Sequence, residues 1–290
     1  MPKPEDWHPV RTKRKRSKKS LEQEVETSVH NIFTHFPKDP NCEVCNACKC
    51  ARSRCMRKQF GKISYVQKPV EFADAVTADH SIINEEDQSR FEDQVALIIT
   101  DKATGWEQSY PAKSNTAEES VRAFQQFLGP IKPKNVYTDN SPELIKAMKD
   151  LQFPHDTSTP HRPQTNGVAE RAVRRVKEGT SCALTQSGLS NDWWAEAMKT
   201  YCFQRVAVDK LANGKTAHHN RFKENFEGPL IPFGAEIQYK PITDKDKAKL
   251  HKFGEKVLSG IFVGYHQRIG GGLSGDLEVA DWEAIETLKG

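Results

Sequence analysis

Residues 94–110 read QVALIITDKATGWEQSY, and this stretch predicts a buried hairpin at the centre of the fold. Its first seven residues are almost continuously apolar, which is typical of a strand buried on both faces of a sheet. The turn sequence DKATG follows at 101–105, and residues 106–110 predict the return strand of a hairpin. The hairpin therefore predicts a sheet that other elements cover.

The predicted elements on either side of this hairpin alternate between strands and helices. Thr116 and Glu119 form a capping box at a helix start, and Gly129 ends that helix. The predicted elements are a strand at 70–77, a helix at 116–128, a strand at 135–138, a helix at 141–151, a strand at 155–158 and helices at 166–187 and 192–208. This order predicts an α/β fold, a mixed five-stranded sheet with helices on both faces.

Composition and charge divide the rest of the chain into segments. The predicted segments are a basic disordered tail at 1–29, a His/Cys zinc-binding segment at 30–62, the α/β core at 68–208, a linker at 209–232 and a small all-β module at 233–285. The module is predicted from short strands separated by Gly-rich turns.

The apolar runs of the 290-residue chain are short. The longest is 95–99, far below the roughly 20 residues that a membrane helix needs. No apolar stretch follows Met1-Pro2-Lys3, so we expect no secretory signal. The sequence therefore argues against a membrane protein, a membrane partner or a secreted disulfide scaffold.

Positive charge is concentrated at the front of the chain. Residues 1–62 carry 15 Lys or Arg against 7 Asp or Glu, whereas the remaining residues carry 28 against 32. Such an asymmetry indicates an arm that meets a polyanion. The dense run of Lys and Arg at 11–19 is either a solvated, disordered arm or a segment that binds phosphates or directs nuclear import.

Three acidic residues stand out by their place in the predicted order. Asp79 and Asp139 lie at the ends of predicted strands, and Glu170 lies in the first turns of the long helix. Side chains from strand ends and helix starts converge at one edge of a sheet. Each residue taken singly also has an ordinary interpretation as a turn, capping or solvent-exposed acid.

The sequence around these acids resembles a known family. Residues 160–171, PHRPQTNGVAER, together with Thr-Asp-Asn at 138–140, resemble the integrase of retroviruses and long-terminal-repeat retrotransposons, more closely the copia type. Residues 192–197, DWWAEA, and 228–236, GPLIPFGAE, look like the region downstream of the copia-type core. The resemblance covers about residues 30–285 and implies a ribonuclease-H-like integrase catalytic core at 68–208.

The resemblance implies a catalytic set of Asp79, Asp139 and Glu170 that holds Mg²⁺ or Mn²⁺. Carboxylate oxygens suit these ions, and two ions activate the nucleophile and stabilise the leaving oxygen in phosphodiester exchange. The chain has 30 residues between Asp139 and Glu170, fewer than is usual in the family, so we expect a shortened loop before the long helix.

The implied function is that of a retrotransposon integrase, a polynucleotidyl transferase that processes DNA 3′ ends and transfers them to target DNA with the help of metal ions. The implied partners are element-end and target DNA and further copies of this chain in a homo-oligomer. The implied location is the nucleus, or a cytoplasmic particle before import. Two alternatives remain open, a decayed or domesticated, inactive DNA-binding protein and a nuclease without joining activity.

Cations near Glu170 are candidate contacts for DNA phosphates. Arg174 and Lys177 follow Glu170 at i+4 and i+7, so the three share roughly one side of the helix. The candidates are Arg162, Arg171, Arg174, Arg175 and Lys177. The alternative for the helical residues is a solvated surface with i,i+4 ion pairs.

Four residues in the pattern H-x4-H-x6-C-x2-C predict a zinc site, namely His30, His35, Cys42 and Cys45. A Cys-x2-Cys knuckle is a zinc half-site, and two histidines complete a tetrahedron. The pattern resembles the N-terminal His-His-Cys-Cys zinc domain of integrases, with a short gap that predicts a compact knuckle. Other ligand sets that include Cys48, Cys50 or Cys55 remain open, as does a segment without zinc.

Overall fold

A computed structural model describes residues 30–49, 68–158, 167–282 and 285. The predicted basic tail at 1–29 and the predicted shortened loop before the long helix lie outside the described residues. Within the described ranges, no helix combines the length and the apolar character needed to cross a bilayer.

Helices and strands alternate along the described residues. The elements are α1 (Glu43–Cys48), β1 (Val76–Ile82), β2 (Val95–Asp101), β3 (Glu107–Ala112), α2 (Ala117–Leu128), β4 (Val136–Thr138), α3 (Pro142–Leu151), β5 (His155–Thr157), α4 (Gly167–Ser187), α5 (Trp194–Val208), α6 (Ala217–Phe222), β6 (Glu236–Tyr239), α7 (Asp244–Lys247), β7 (Leu258–Gln267) and β8 (Leu273–Asp281). Thr116 caps α2 by accepting the N–H of Glu119, as the capping box predicts.

The main sheet has five strands in the order β3-β2-β1-β4-β5. β1, β2 and β3 pair antiparallel, whereas β4 pairs parallel with both β1 and β5. The predicted mixed five-stranded sheet is therefore confirmed. Because β4 lies directly beside β1, the residues that follow Ala78 and Thr138 in the chain are neighbours.

Helices cover both faces of this sheet, as predicted. On one face, Ala78 and Ile99 pack with the apolar residues of α2 and α3. On the other face, Ala96 and Ile98 pack with α4 and α5. Alternate residues of a strand point to opposite faces, so the two faces of β1 meet different helices.

The first strand begins later than the sequence pattern predicts. Residues 70–75 form a turn in which the Asp74 carboxylate accepts the N–H groups of Val70 and Glu71, and β1 begins at Val76. The strand then continues to Ile82, because each of its residues pairs with the long strand β2. Asp79 therefore lies inside β1 rather than at its end.

The segment after α5 packs on the core. The range predicted as a linker contains α6, and Ala217 of this helix is buried among the residues of the α2 face. β6, β7 and β8 form a three-stranded sheet, and Ile261 and Val263 of β7 belong to the cluster around α4 and α5. This sheet thus shares its apolar core with the five-stranded sheet, and its separation as an all-β module stays a prediction.

Candidate metal centres

Asp79 lies on β1, and Asp139 comes directly after the adjacent strand β4. Asp79 is opposite Ile98 in the β1–β2 ladder and points to the face that α4 covers. Asp139 follows Thr138, which is the parallel neighbour of Ala78. Both residues are partly buried.

Glu170 reaches the same region from α4. It lies in the first turn of the helix and is exposed, whereas the neighbouring Ala169 is buried. Burial, with the charges of Asp139 and Glu170, raises the pKa of Asp79 to about 6. The charges of Asp139 and Glu170 thus act on that of Asp79, and α4, which carries Glu170, packs on β1.

The three carboxylates form a looser group than the predicted zinc ligands. Among the described residues, only the His/Cys group has three or more ligand atoms that all lie within 4.8 Å of one another. The exposed Glu170 has rotamers available that change its distance from the two aspartates. The three side chains offer carboxylate oxygens, the type of donor that Mg²⁺ and Mn²⁺ prefer.

The backbone at Asp139 is held by a short chain of hydrogen bonds. The Thr138 hydroxyl donates to the carbonyl oxygen of Asp139 at 2.7 Å. The same hydroxyl lies 2.8 Å from Nε2 of His155, which therefore donates to it. Sequence reasoning missed His155, since its only signal is that β5 runs beside β4.

His80 lies on the opposite face of β1 from Asp79, because its ladder partner Leu97 belongs to the cluster of the α2 face. Burial lowers the pKa of His80, although the charges of Glu143 and Asp139 act in the other direction. His80 therefore packs on the α2 face of the sheet and is not one of the predicted metal ligands.

Removing the charge of Asp79 is expected to stabilise the protein in buffer without Mg²⁺ or Mn²⁺. Because the pKa of this carboxyl is raised from 3.8 to about 6, the folded state holds a proton that the unfolded chain has lost, and stability falls as pH rises through this interval. The melting temperature of Asp79→Asn should exceed that of the wild type by an amount that grows between these pH values and then stays constant. Thermal unfolding over this pH range tests it, and a difference independent of pH would contradict the raised pKa.

The predicted DNA-contacting cations divide into three groups. Arg171, Arg174 and Lys177 are exposed on α4, and Nε of Arg174 donates to Glu178 at 3.0 Å. Arg175 points away from them and forms an ion pair with the fully buried carboxylate of Glu107. Arg162 lies outside the described residues.

Arg175 is therefore held against the sheet, although 34% of its side chain stays exposed. Glu107 on β3 also contacts Arg205 of α5, with 3.4 Å between the charged atoms, and accepts a hydrogen bond from Thr100 at 3.1 Å. Burial acts to raise the pKa of Glu107, but the charges of Arg205 and Arg175 outweigh it and lower the pKa. The prediction that Arg175 contacts DNA is at odds with this ion pair, because its guanidinium is turned toward the buried Glu107 rather than toward the exposed cations of α4.

The predicted zinc ligands meet in one place. His30, His35, Cys42 and Cys45 each offer a ligand atom, and these atoms lie within 4.8 Å of one another. Nδ1 of His35 is 3.5 Å from Sγ of Cys42, and the N–H of Cys45 donates to the same sulfur at 3.5 Å. This backbone hydrogen bond lowers the pKa of the Cys42 thiol and so favours the thiolate that binds metals.

The surroundings of the two histidines fit a zinc ion. Nδ1 of His30 lies 2.8 Å from the Pro37 carbonyl, while its Nε2 is buried without a hydrogen-bond partner among the described residues. Two nitrogens and two sulfurs at this spacing match the tetrahedral sets that zinc takes. Of the other candidate ligands, Cys48 contacts the Thr185 hydroxyl at 3.4 Å instead, and Cys50 and Cys55 lie outside the described residues.

Comparisons with known proteins find similar sequences in Pol polyproteins. No family model matches the chain. The Pro-Pol polyprotein of feline foamy virus is 29% identical over 87 residues, covering 28% of this chain and 8% of that protein. The retrovirus-related Pol polyprotein from transposon TNT 1-94 of Nicotiana tabacum is 25% identical over 179 residues, covering 52% and 12%. The Gag-Pol polyprotein of feline leukemia virus is 31% identical over 104 residues, covering 33% and 6%.

Solved structures of similar proteins include two retroviral integrase catalytic cores. The core domain of BIV integrase has a TM-score of 0.40 and 17% identity, covering 52% of this chain and 95% of that one. The HTLV-2 integrase core, in complex with magnesium, has a TM-score of 0.41 and 19% identity, covering 52% and 97%. The three sequence relatives named above are Pol polyproteins of retroviruses and of a transposon, and the matches to this chain span between 6% and 12% of their length.

Proposed function

We propose that this chain is a retrotransposon integrase of the copia type, which processes DNA 3′ ends and joins them to target DNA. The observation that carries the proposal is that Asp79 and Asp139 follow the paired residues Ala78 and Thr138 of two adjacent parallel strands, while Glu170 begins the helix that packs on β1. The similarity to Pol polyproteins of retroviruses and of a plant transposon supports it. In this proposal the five-stranded core has the ribonuclease-H-like fold.

The three carboxylates would hold Mg²⁺ or Mn²⁺. When bound, such ions activate the attacking oxygen and stabilise the leaving oxygen of a phosphodiester. The protein's part is to fix the oxygen donors. Asp79 is fixed by the β1–β2 ladder, and Asp139 by the hydrogen bonds of Thr138 and His155. Glu170 would reach them from the first turn of α4.

The reaction exchanges one phosphorus–oxygen bond for another. In end processing, water attacks the phosphorus and the 3′ oxygen of the retained strand leaves as the new 3′ hydroxyl. In strand transfer, this 3′ hydroxyl attacks a target phosphate, and its proton passes through solvent to the leaving 3′ oxygen of the target. No base is needed at a fixed position, so the trio serves the two steps alike.

DNA phosphates would be bound by the exposed cations of α4. Arg171, Arg174 and Lys177 lie on the helix that carries Glu170, within reach of a duplex that approaches the trio. Arg162, in the preceding loop, is proposed for the same role from the sequence alone. Arg175 is left out of this set because of its ion pair with Glu107.

The remaining parts of the proposal rest mainly on the sequence. His30, His35, Cys42 and Cys45 would hold a structural Zn²⁺, which the buried Nε2 of His30 supports. The basic tail would meet DNA or direct the protein to the nucleus. A homo-oligomer of this chain would bring two DNA ends together.

A short labelled duplex incubated with the zinc-loaded protein and Mg²⁺ or Mn²⁺ tests the proposed function. We expect shortened 3′ ends and longer, joined strands, both of which disappear when EDTA is added. Shortened strands without joined products would favour a nuclease. DNA binding without either product would favour an inactive, domesticated or decayed integrase, which the short spacing between Asp139 and Glu170 would then explain.

A further inference from the structure

Gln186 of α4 touches a predicted zinc ligand from outside the zinc-binding segment. Its Oε1 lies 2.8 Å from Nε2 of His35, although the two residues are 151 positions apart in the sequence. A side-chain carbonyl oxygen can only accept, so Nε2 of His35 carries the proton. The lone pair of the ring is then on Nδ1, which faces Cys42 Sγ at 3.5 Å.

In each of the two histidines, one ring nitrogen donates a hydrogen bond and the other is left for a metal, but the hydrogen-bond acceptors differ. His30 donates from Nδ1 to the Pro37 carbonyl within its own segment, which leaves Nε2 for a metal. The partner of His35 instead comes from α4. A partner of this kind fixes the tautomer and the ring orientation of a metal-binding histidine.

The segment is also tied to the core at further points. The buried Thr34 hydroxyl donates to Asp209, which follows α5, at 2.7 Å. Cys48 contacts Thr185 in the last turns of α4, and His35 is buried under these contacts. The segment is therefore docked on the ends of α4 and α5 by specific polar contacts.

We propose that Gln186 is a positioning residue of the zinc site, so that zinc binding and docking of residues 30–49 on α4 stabilise each other. This inference rests on the proposed zinc ligands. Binding that requires a given arrangement is strengthened by whatever favours that arrangement, and the effect is reciprocal. Glu170 lies 16 residues before Gln186, about 24 Å along the same helix, so the zinc segment anchors the far end of the helix that carries the third acid.

Zinc affinity of the full chain, measured by competition with a chromophoric chelator, tests the role of Gln186. Loss of a hydrogen-bond partner of this kind typically weakens metal binding by about 10- to 100-fold, and we expect this for Gln186→Leu. Gln186→Glu keeps an acceptor and should bind zinc at least as tightly as the wild type. Gln125→Leu, at another exposed helical glutamine, is the matched control and should equal the wild type.

Two results would overturn the proposed role. Equal affinity of Gln186→Leu and Gln125→Leu would show that the hydrogen bond to His35 does not support the site. A loss in Gln186→Glu as large as that in Gln186→Leu would show that the acceptor atom is not what matters.

Amide hydrogen exchange tests the coupling separately. Removal of zinc from the wild type should increase exchange in the last turns of α4, around 180–187, and a zinc site independent of the core would leave that exchange unchanged. The zinc site itself fails in a different way. If the wild type and Cys45→Ser bound zinc equally, the four-ligand assignment would be wrong, whatever the behaviour of Gln186.

Discussion

Asp139→Asn is expected to lower the rate of metal-dependent DNA cleavage and joining by about 10³-fold or more. The substitution keeps the size of the side chain but removes the negative charge that would hold the cation. Stabilisation of the transition state by a bound metal is worth several kcal/mol, and about 4 kcal/mol corresponds to a factor of roughly 10³ in rate. Rates are measured with the labelled duplex at saturating Mg²⁺ and again with Mn²⁺.

The control for this prediction is Asp150→Asn, which removes an exposed carboxylate from α3. It should leave cleavage and joining unchanged. Both proteins should bind the duplex, because the cations of α4 are intact in each. Activity of Asp139→Asn near that of Asp150→Asn would remove the reason for assigning the trio as a metal site.

The sheet and its helices could be predicted because local signals agree with the tertiary structure. The caps at Thr116 and Gly129 delimit α2, and the apolar run at 95–99 forms most of the buried strand β2. The start of β1 could not be predicted in this way. Its length is set by pairing with β2, and the Asp74 turn that delays it depends on side-chain contacts.

The sequence predicts the ligands of the candidate sites, but it does not predict the residues that form hydrogen bonds to those ligands or to their neighbours. Asp139, Glu170 and the four zinc donors stand in recognisable local patterns. His155 and Gln186 act through hydrogen bonds to residues on other elements, and their own neighbours in sequence carry no signal of it. Partners of this kind are set by packing, which a single sequence does not display.

For Arg175, the local sequence predicts a role that the tertiary contacts do not support. Its place in a cationic run on a helix near Glu170 predicts a DNA contact, but the helix turns by about 100° per residue, so neighbouring cations face different surroundings. Arg174 meets solvent and Glu178, whereas Arg175 meets the buried Glu107. Since Glu107 is 68 positions away in the sequence, no local sequence pattern predicts the ion pair.

Glu107→Leu is expected to lower the free energy of unfolding by about 3–5 kcal/mol, the usual cost of removing one partner from a buried ion pair. Arg205 is almost as buried as Glu107 and would keep its charge without this partner. Urea denaturation of the zinc-loaded chain measures the effect. Arg174→Ala, which breaks an exposed i,i+4 pair on α4, is the control and should cost less than about 1 kcal/mol.

A triple variant separates two contributions to the free energy of unfolding, namely the cost of leaving the arginines without their buried partner and the net stabilisation by the three-residue ion cluster. Glu107→Leu combined with Arg175→Met and Arg205→Met replaces all three charges by apolar side chains of similar size, which is often neutral for stability. If the triple variant regains most of the stability lost by Glu107→Leu, the cluster chiefly fixes how α4 and α5 sit on β3. A loss for Glu107→Leu no larger than that for Arg174→Ala would mean that the buried pair does not hold α4 in place.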